Sequence, residues 1–155
     1  MTGFNRHREI GHFNSTHSAF YTLCRSPGGE NLLSVVKLYI VDEHESVRTA
    51  LAERLDRADE MQVVGHCGEA GESIEQVRTT EPDVVLIEVK RKDGMGLELL
   101  RQISTLPNNP KVAVLTSYPS DWEQEAASRA GANYYLLKDI DLDELIGSIV
   151  SSVDE

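Results

Sequence analysis

An unbroken apolar run in the middle of the chain sets the pattern of hydrophobic and polar positions. Pro82 and Asp83 precede the apolar residues Val84–Ile87, and Glu88 follows them. An apolar run of this length between polar and proline breakers predicts a strand that is buried on both faces. After a polar, glycine-bearing loop, apolar residues return at helical spacing within residues 96–106. A strand, a loop and a helix in this order predict one unit of a parallel α/β sheet.

The same alternation continues through most of the chain. The predicted strands span residues 37–41, 61–66, 82–88, 111–116 and 133–137, and the predicted helices span 44–57, 69–80, 96–106, 120–131 and 141–153. Ser120 precedes Glu123 by three positions, and Asp141 precedes Glu144 in the same way, which is the capping-box pattern of a helix start. Five strands that alternate with five helices predict a doubly wound, five-stranded parallel sheet with right-handed crossovers.

Residues 1–36 show a different pattern. They lack periodic apolar positions and contain a Ser-Pro-Gly-Gly breaker at 26–29, so we predict a disordered tail at 1–36 and one domain at 37–155. His7, His12 and His17 are spaced by five residues, which does not place them on one helix face. No cysteine or acid cluster accompanies them, so a metal site is not expected there.

Charge and cysteine content narrow the classes of function. The net charge is −11, and residues 1–36 hold three arginines against two glutamates, so the predicted domain is strongly acidic. We therefore expect no direct contact with nucleic acid, which requires clustered basic residues. Cys24 and Cys67 show no CxxC spacing and are expected to be reduced thiols. The sequence has no apolar stretch of membrane-spanning length and no signal-peptide pattern, which predicts a soluble cytoplasmic protein.

Polar side chains follow four of the predicted strands. Asp42 and Glu43 come after the first strand, Glu88 after the third, Thr116 ends the fourth and Lys138 follows the fifth. In an open parallel sheet, these positions converge on one crevice. Carboxylates brought together must be neutralised, either by a divalent cation with oxygen ligands or by an ammonium such as that of Lys138. Any one acid could instead cap a helix or face solvent, but all four positions together favour a functional site.

Four segments give the chain a family resemblance. They are the acidic-pair segment at 41–48, the strand and helix start at 82–88 and 96–100, the hydroxyl residue Thr116, and the final strand at 131–139 with Tyr135 and Lys138. Their order and spacing make residues 37–153 resemble the receiver domain of bacterial two-component response regulators. The resemblance implies the flavodoxin-like receiver fold.

The resemblance also implies roles for these residues. In such receivers, an aspartate accepts a phosphoryl group from a histidine kinase, and an acidic pair holds Mg²⁺. By this resemblance, Asp42 and Glu43 would hold the metal, Thr116 and Lys138 would contact phosphoryl oxygens, and Tyr135 would be the aromatic switch. The implied partners are a histidine kinase or another two-component signalling protein, with a homodimer through the fourth helix, fifth strand and fifth helix.

The chain departs from the family pattern at the phosphoacceptor position, which is Glu88. The extra methylene moves the nucleophilic oxygen by about 1.5 Å in a site where about 1 Å can cost a hundredfold in rate. The basic residues 90–92 replace the usual apolar-proline segment, Met95 stands where Asp or Asn is common, and Asp139 replaces a common proline. Two interpretations of the basic loop remain open: it offsets the charge of the acids, or it is solvated surface.

We interpret the chain as a stand-alone receiver-like module that is not an enzyme and acts through protein–protein contacts. Phosphorylation at Glu88 is not expected, and Mg²⁺ binding is expected to be weak or absent. One alternative is a true Mg²⁺-dependent phosphoacceptor that uses Glu88. Another is a flavodoxin-like enzyme or cofactor carrier, which the acidic turn after the first strand disfavours because a glycine-rich phosphate loop is expected there.

Overall fold

The computed structural model describes residues 35–154, in which five parallel strands alternate with five helices. The strands are β1 (Val36–Val41), β2 (Met61–Cys67), β3 (Val84–Ile87), β4 (Lys111–Thr116) and β5 (Tyr134–Leu137). The helices are α1 (Glu45–Asp56), α2 (Ala70–Thr80), α3 (Gly96–Ser104), α4 (Asp121–Ala130) and α5 (Leu142–Val153). The predicted fold class and order of elements are confirmed.

The sheet order brings the ends of the strands to one edge. The strands follow the order β2-β1-β3-β4-β5, and each neighbouring pair is parallel. All four residues of the middle strand β3 are buried, as the apolar run predicts. Helices α1 and α5 pack on one face of the sheet, and α2, α3 and α4 pack on the other. Because all strands are parallel, the residues that follow them lie at a common edge.

The first strand begins one residue earlier than the sequence pattern predicts. The backbone N–H of Val36 donates to the Glu60 carbonyl at 2.9 Å, and Val36 is paired with Met61 of β2. Because these partners lie far along the chain, the local pattern does not reveal them. The predicted tail and its three histidines lie outside the described residues, apart from the last two positions of the tail.

The described residues include one of the two cysteines and all five helices of the domain. Cys67 is a buried free thiol, whereas Cys24 lies outside the described residues. Between residues 35 and 154, none of the helices combines the length and apolar character needed to cross a bilayer.

The loop between β3 and α3, residues 88–95, folds back closely over the strand ends. A Cβ on Gly96, the first residue of α3, would lie 1.8 Å from the Val89 carbonyl oxygen, so only glycine fits there. Gly94 has a φ of 72°, a left-handed conformation that also favours glycine. We call residues 88–95 the β3–α3 loop. This tight return places the loop's backbone N–H groups over the acidic residues of the sheet edge.

The start of α4 follows the prediction only in part. The Ser120 hydroxyl accepts a hydrogen bond from the Glu123 backbone N–H at 3.1 Å, as a capping box requires. The reciprocal bond would join the Glu123 carboxylate to the Ser120 N–H, but that N–H donates to the Tyr135 hydroxyl at 3.2 Å. At α5, Asp141 accepts from the Asp143 N–H at 3.0 Å. Both helices start where predicted, and the Glu123 carboxylate is left to make other contacts.

Candidate functional site

Three charged side chains meet where β1, β3 and β5 end, and we call Asp42, Glu88 and Lys138 the strand-end site. The Lys138 Nζ lies 2.8 Å from Asp42 Oδ2 and 3.3 Å from Glu88 Oε1. The sheet order explains this contact, because the long side chain of Lys138 reaches from β5 across the ends of β4 and β3. One ammonium is therefore shared by two carboxylates.

The strand-end site is shielded from solvent. The exposed fractions of the Asp42, Glu88 and Lys138 side chains are 5%, 6% and 18%. Burial acts to lower the pKa of Lys138, but the hydrogen bond and charge of Asp42 outweigh it and hold that pKa above its ordinary value. Burial acts to raise the pKa of Asp42, and the hydrogen bonds from Lys138 and His44 hold it below its ordinary value. Asp42 and Lys138 are therefore both charged at neutral pH.

The acidic pair after β1 is divided between two sets of partners. Asp42 Oδ2 binds Lys138, and Asp42 Oδ1 accepts from the His44 backbone N–H at 2.9 Å. Both carboxylate oxygens of Glu43 instead accept from the Lys92 backbone N–H, at 3.1 and 3.0 Å. The predicted convergence on one crevice therefore includes Asp42 and Glu88, while Glu43 is drawn to the loop.

The β3–α3 loop contacts the acids through its main chain. The Lys90 backbone N–H donates to Glu88 Oε2 at 3.0 Å, as the Lys92 N–H does to Glu43. A hydrogen bond between a backbone N–H and a carboxylate is stronger than one between neutral groups. The acids thus meet the loop's backbone dipoles, and the basic side chains of the loop are available for other partners.

Two of the three basic side chains in the loop have partners of their own. The Lys90 Nζ lies 2.6 Å from Glu123 Oε2 on α4. Arg91 donates to the Gly68 carbonyl at 2.8 Å and to Asp93 at 2.9 Å, and its side chain is only 3% exposed. Lys90 and Arg91 therefore fit neither interpretation of the basic loop. Their side chains do not pair with Asp42, Glu43 or Glu88, and they are not simply solvated, because they bind Glu123, Asp93 and the Gly68 carbonyl.

The carboxylates are held by donors of the protein in a way that opposes Mg²⁺ binding. Mg²⁺ requires near-octahedral oxygen ligands, usually including one or two carboxylates. Among the described residues, no group of three acidic, histidine or cysteine side chains is placed to hold a metal ion. Asp42 and Glu88 are engaged by Lys138, and Glu43 is engaged by the Lys92 N–H. A metal would have to displace these donors before it could bind.

The hydroxyl residue and the aromatic residue lie beside the strand-end site. Thr116 is fully buried, and its hydroxyl accepts from the Tyr118 N–H at 3.2 Å. Tyr135 is 5% exposed, and its hydroxyl donates to Glu123 Oε1 at 2.6 Å. Burial, followed by the hydrogen bond to the Glu123 carboxylate, raises the pKa of Tyr135 above its ordinary value. The aromatic ring thus lies inward without any modification of Glu88.

Glu123 is the residue of this region that the sequence pattern did not identify. Its side chain is 7% exposed and bridges Lys90 and Tyr135. The capping-box spacing gave it a local explanation, so no further role was expected. The sequence carries no signal for its role, because a buried carboxylate needs a cation such as Lys90 but the burial is seen only in the structure.

Comparisons with known proteins identify the same domain. A family model described as the response regulator receiver domain matches residues 38–150. The DNA-binding transcriptional activator DevR/DosR of Mycobacterium tuberculosis is 39% identical over 106 residues, or 68% of this chain and 49% of that protein. The transcriptional regulatory protein LiaR of Bacillus subtilis is 32% identical over 104 residues, or 67% of this chain and 49% of that protein.

A solved structure agrees with this match. The crystal structure of a two-component response regulator of the LuxR family from Aurantimonas sp. SI85-9A1 superposes with a TM-score of 0.71 at 26% identity. The superposition covers 78% of this chain and 86% of that one. The chain spans about half the length of the curated relatives it matches.

Proposed function

Because the chain belongs to the response regulator receiver domain family, we propose that it serves two-component signalling as a receiver whose state does not depend on phosphorylation. Glu88 stands at the phosphoacceptor position, and Tyr135 stands at the position of the aromatic switch. The domain works through contacts with other proteins, and the β3–α3 loop and Glu88 set its conformation. This proposal concerns the receiver domain alone, or as part of a longer regulator.

The pairing of Glu88 is the observation that carries this proposal. Its carboxylate lies 3.3 Å from the Lys138 ammonium and accepts the Lys90 N–H at 3.0 Å. A phosphoryl group on an aspartate would offer oxygens to the same kinds of donor. The carboxylate carries one negative charge against nearly two for a phosphoryl group, so its imitation of the phosphorylated form is partial. The inward ring of Tyr135 supports the same state.

The proposed partners are a histidine kinase or another two-component signalling protein. The surface we assign to contact, including a homodimer, is formed by α4, β5 and α5. Trp122 of α4 is 71% exposed and Tyr118, which shortly precedes α4, is 74% exposed, so both rings are available to a partner. Relatives named above are described as DNA-binding or transcriptional regulators. For this acidic domain itself, we propose no direct contact with DNA.

Incubation with acetyl phosphate and MgCl₂, followed by intact-mass measurement, tests the proposal. We expect no mass gain for the wild-type protein, because the side chain of Glu88 misplaces the nucleophilic oxygen. We expect Glu88→Asp to gain one phosphoryl group, and Glu88→Ala is the control without a carboxylate.

A phosphoryl gain on the wild type that Glu88→Ala abolishes would overturn the proposal and establish Glu88 as a phosphoacceptor. If neither the wild type nor Glu88→Asp gains mass, the state is still independent of phosphorylation, and the obstacle extends to the β3–α3 loop.

A further inference from the structure

One continuous set of contacts runs from the β3–α3 loop to the switch position. The Lys90 Nζ lies 2.6 Å from Glu123 Oε2, and the other carboxylate oxygen of Glu123 accepts from the Tyr135 hydroxyl at 2.6 Å. The backbone N–H of the same Lys90 donates to Glu88. Lys90 therefore contacts Glu88 with its main chain, and its side chain contacts Glu123, the residue that binds the Tyr135 hydroxyl.

The Tyr135 hydroxyl forms part of the start of α4. It accepts from the Ser120 N–H at 3.2 Å and donates to Glu123, so it lies between the two groups that a capping box would join directly. If the ring of Tyr135 moves outward, both of these contacts are lost together. The position of the ring and the conformation of the first turn of α4 are therefore coupled.

The Glu123 carboxylate needs Lys90 in order to stay where it is. Its side chain is 7% exposed, and a buried carboxylate without a cation is strongly unfavourable. The N-terminal end of α4 favours a negative charge but does not replace an ion pair. If the Lys90 ammonium is removed, the Glu123 carboxylate is more stable when hydrated than when buried without a cation. We therefore expect it to turn into solvent and to break its hydrogen bond with the Tyr135 hydroxyl.

We propose that Lys90 and Glu123 form a latch that holds Tyr135 in its buried position, so that the β3–α3 loop sets the state of α4. The inference rests on the proposed function in taking Tyr135 as the switch residue. Lys90 and Glu123 are positioning residues, and neither takes part in any chemical step.

Nitration of tyrosines by tetranitromethane, mapped by peptide mass spectrometry, measures the position of the ring. Tyr118 is 74% exposed and serves as the internal standard for a reactive tyrosine, whereas Tyr39 is fully buried and reports loss of the fold. In the wild type we expect Tyr135 to be as protected as Tyr39. In Lys90→Met, we expect the nitration rate of Tyr135 relative to Tyr118 to rise about tenfold or more. A change of this size corresponds to the loss of one charge-assisted hydrogen bond.

Matched variants separate the latch from general loosening. Lys92→Met removes a lysine of the same loop whose side chain is exposed, and Glu125→Met removes an exposed acid of the same helix, 69% exposed. Both should leave Tyr135 protected, as should Lys90→Arg, which keeps the charge. Glu123→Met should expose Tyr135, and combining it with Lys90→Met should add little, because the two residues act through one contact.

The latch is overturned if Tyr135 stays protected in Lys90→Met, or if Lys92→Met exposes it to the same extent. If Tyr39 also becomes reactive in Lys90→Met, that variant has lost its fold. Glu123→Met then takes its place: the latch is supported if Tyr135 becomes reactive in this variant while Tyr39 stays protected, and it is overturned if Tyr135 stays protected. The assay contains no phosphodonor. A phosphoryl gain by the wild type would therefore refute the proposed function without changing the nitration pattern.

Discussion

The strand-end site joins a lysine to two buried carboxylates and the latch joins a lysine to one, and the two are built from different parts of the fold. In the strand-end site, Asp42, Glu88 and Lys138 directly follow parallel strands, so the sheet itself fixes their spacing. In the latch, Lys90 lies in a loop and Glu123 in the first turn of a helix. The sheet fixes neither of these residues, and their contact depends on the conformation of the loop.

This difference implies that the contacts of the strand-end site stay formed in the folded domain, whereas the contact of the latch can open and close. A charge cluster fixed by a sheet persists as long as the sheet does, because moving it requires breaking strand pairing. A contact between a loop and a helix end belongs to the parts of a protein that open at lower cost. The strand-end site should therefore hold the state that Glu88 sets and contribute strongly to stability, and the latch should contribute less to stability and govern the position of Tyr135.

The largest effect is expected at the strand-end site. Lys138→Met leaves two buried carboxylates without a cation, so we expect the free energy of unfolding to fall by about 3–5 kcal/mol. Chemical denaturation measures this change, with the exposed Lys92→Met as the control. A loss below about 1 kcal/mol would mean that water already compensates these acids, and the two regions would then be alike.

The same substitution in the latch should cost less. The Lys90 side chain is 41% exposed against 18% for Lys138, so solvent screens the Lys90 ammonium more strongly and its ion pair contributes less. We expect Lys90→Met to lower the free energy of unfolding by about 1–3 kcal/mol. Denaturation of both variants in the same buffer makes the comparison. An equal or larger loss for Lys90→Met would show that the latch is a structural core contact.

A smaller effect is expected where the loop holds Glu43. Lys92→Pro removes the backbone N–H that both oxygens of Glu43 accept, and we expect a loss of about 0.5–1.5 kcal/mol. The freed carboxylate should also strengthen Mg²⁺ binding, measured by titration calorimetry. Lys92→Ala keeps the N–H and is the control. Equal Mg²⁺ affinity in both variants would show that the Lys92 N–H is not what keeps Glu43 from the metal.

The smallest effect on stability is expected at Trp122, whose side chain is 71% exposed. Trp122→Ala should change the free energy of unfolding by less than about 0.5 kcal/mol, because it buries little on folding. It should nevertheless weaken self-association measured by sedimentation, or binding of the cognate histidine kinase. Val47→Ala, at an exposed position of α1, is the control. If Val47→Ala weakens association and Trp122→Ala does not, the contact surface lies on α1.

The predictability of the two regions follows from how far their contacts reach. The apolar run Val84–Ile87 was enough to predict a buried strand, and the strand ends then placed Glu88 and Lys138 at one edge. The pairing of Lys90 with Glu123, 33 positions apart, has no periodic signal. The sequence pattern also explains Glu123 locally, as part of the capping box with Ser120. That explanation leaves no reason to look for its ion pair with Lys90.

A second limit concerns the main chain. The contact between the Lys92 N–H and Glu43 spans 49 positions and involves no side chain of Lys92. Any residue except proline offers the same donor, so residue identity carries almost no information about it. The sequence therefore predicts Asp42 and Glu43 in one cluster, and it does not predict that the Lys92 N–H binds Glu43 while Asp42 binds Lys138.

The Tyr135 hydroxyl in the cap of α4 has a consequence for the order of folding. The Ser120 N–H finds its acceptor on a residue of β5, 15 positions later in the chain. The Ser120 N–H therefore gains this acceptor only once β5 has joined the sheet. Helix ends usually fray, and their amides exchange with solvent through local opening. The amide of Ser120 should instead stay protected while the Tyr135 ring is buried, and exchange when that ring moves outward or β5 leaves the sheet.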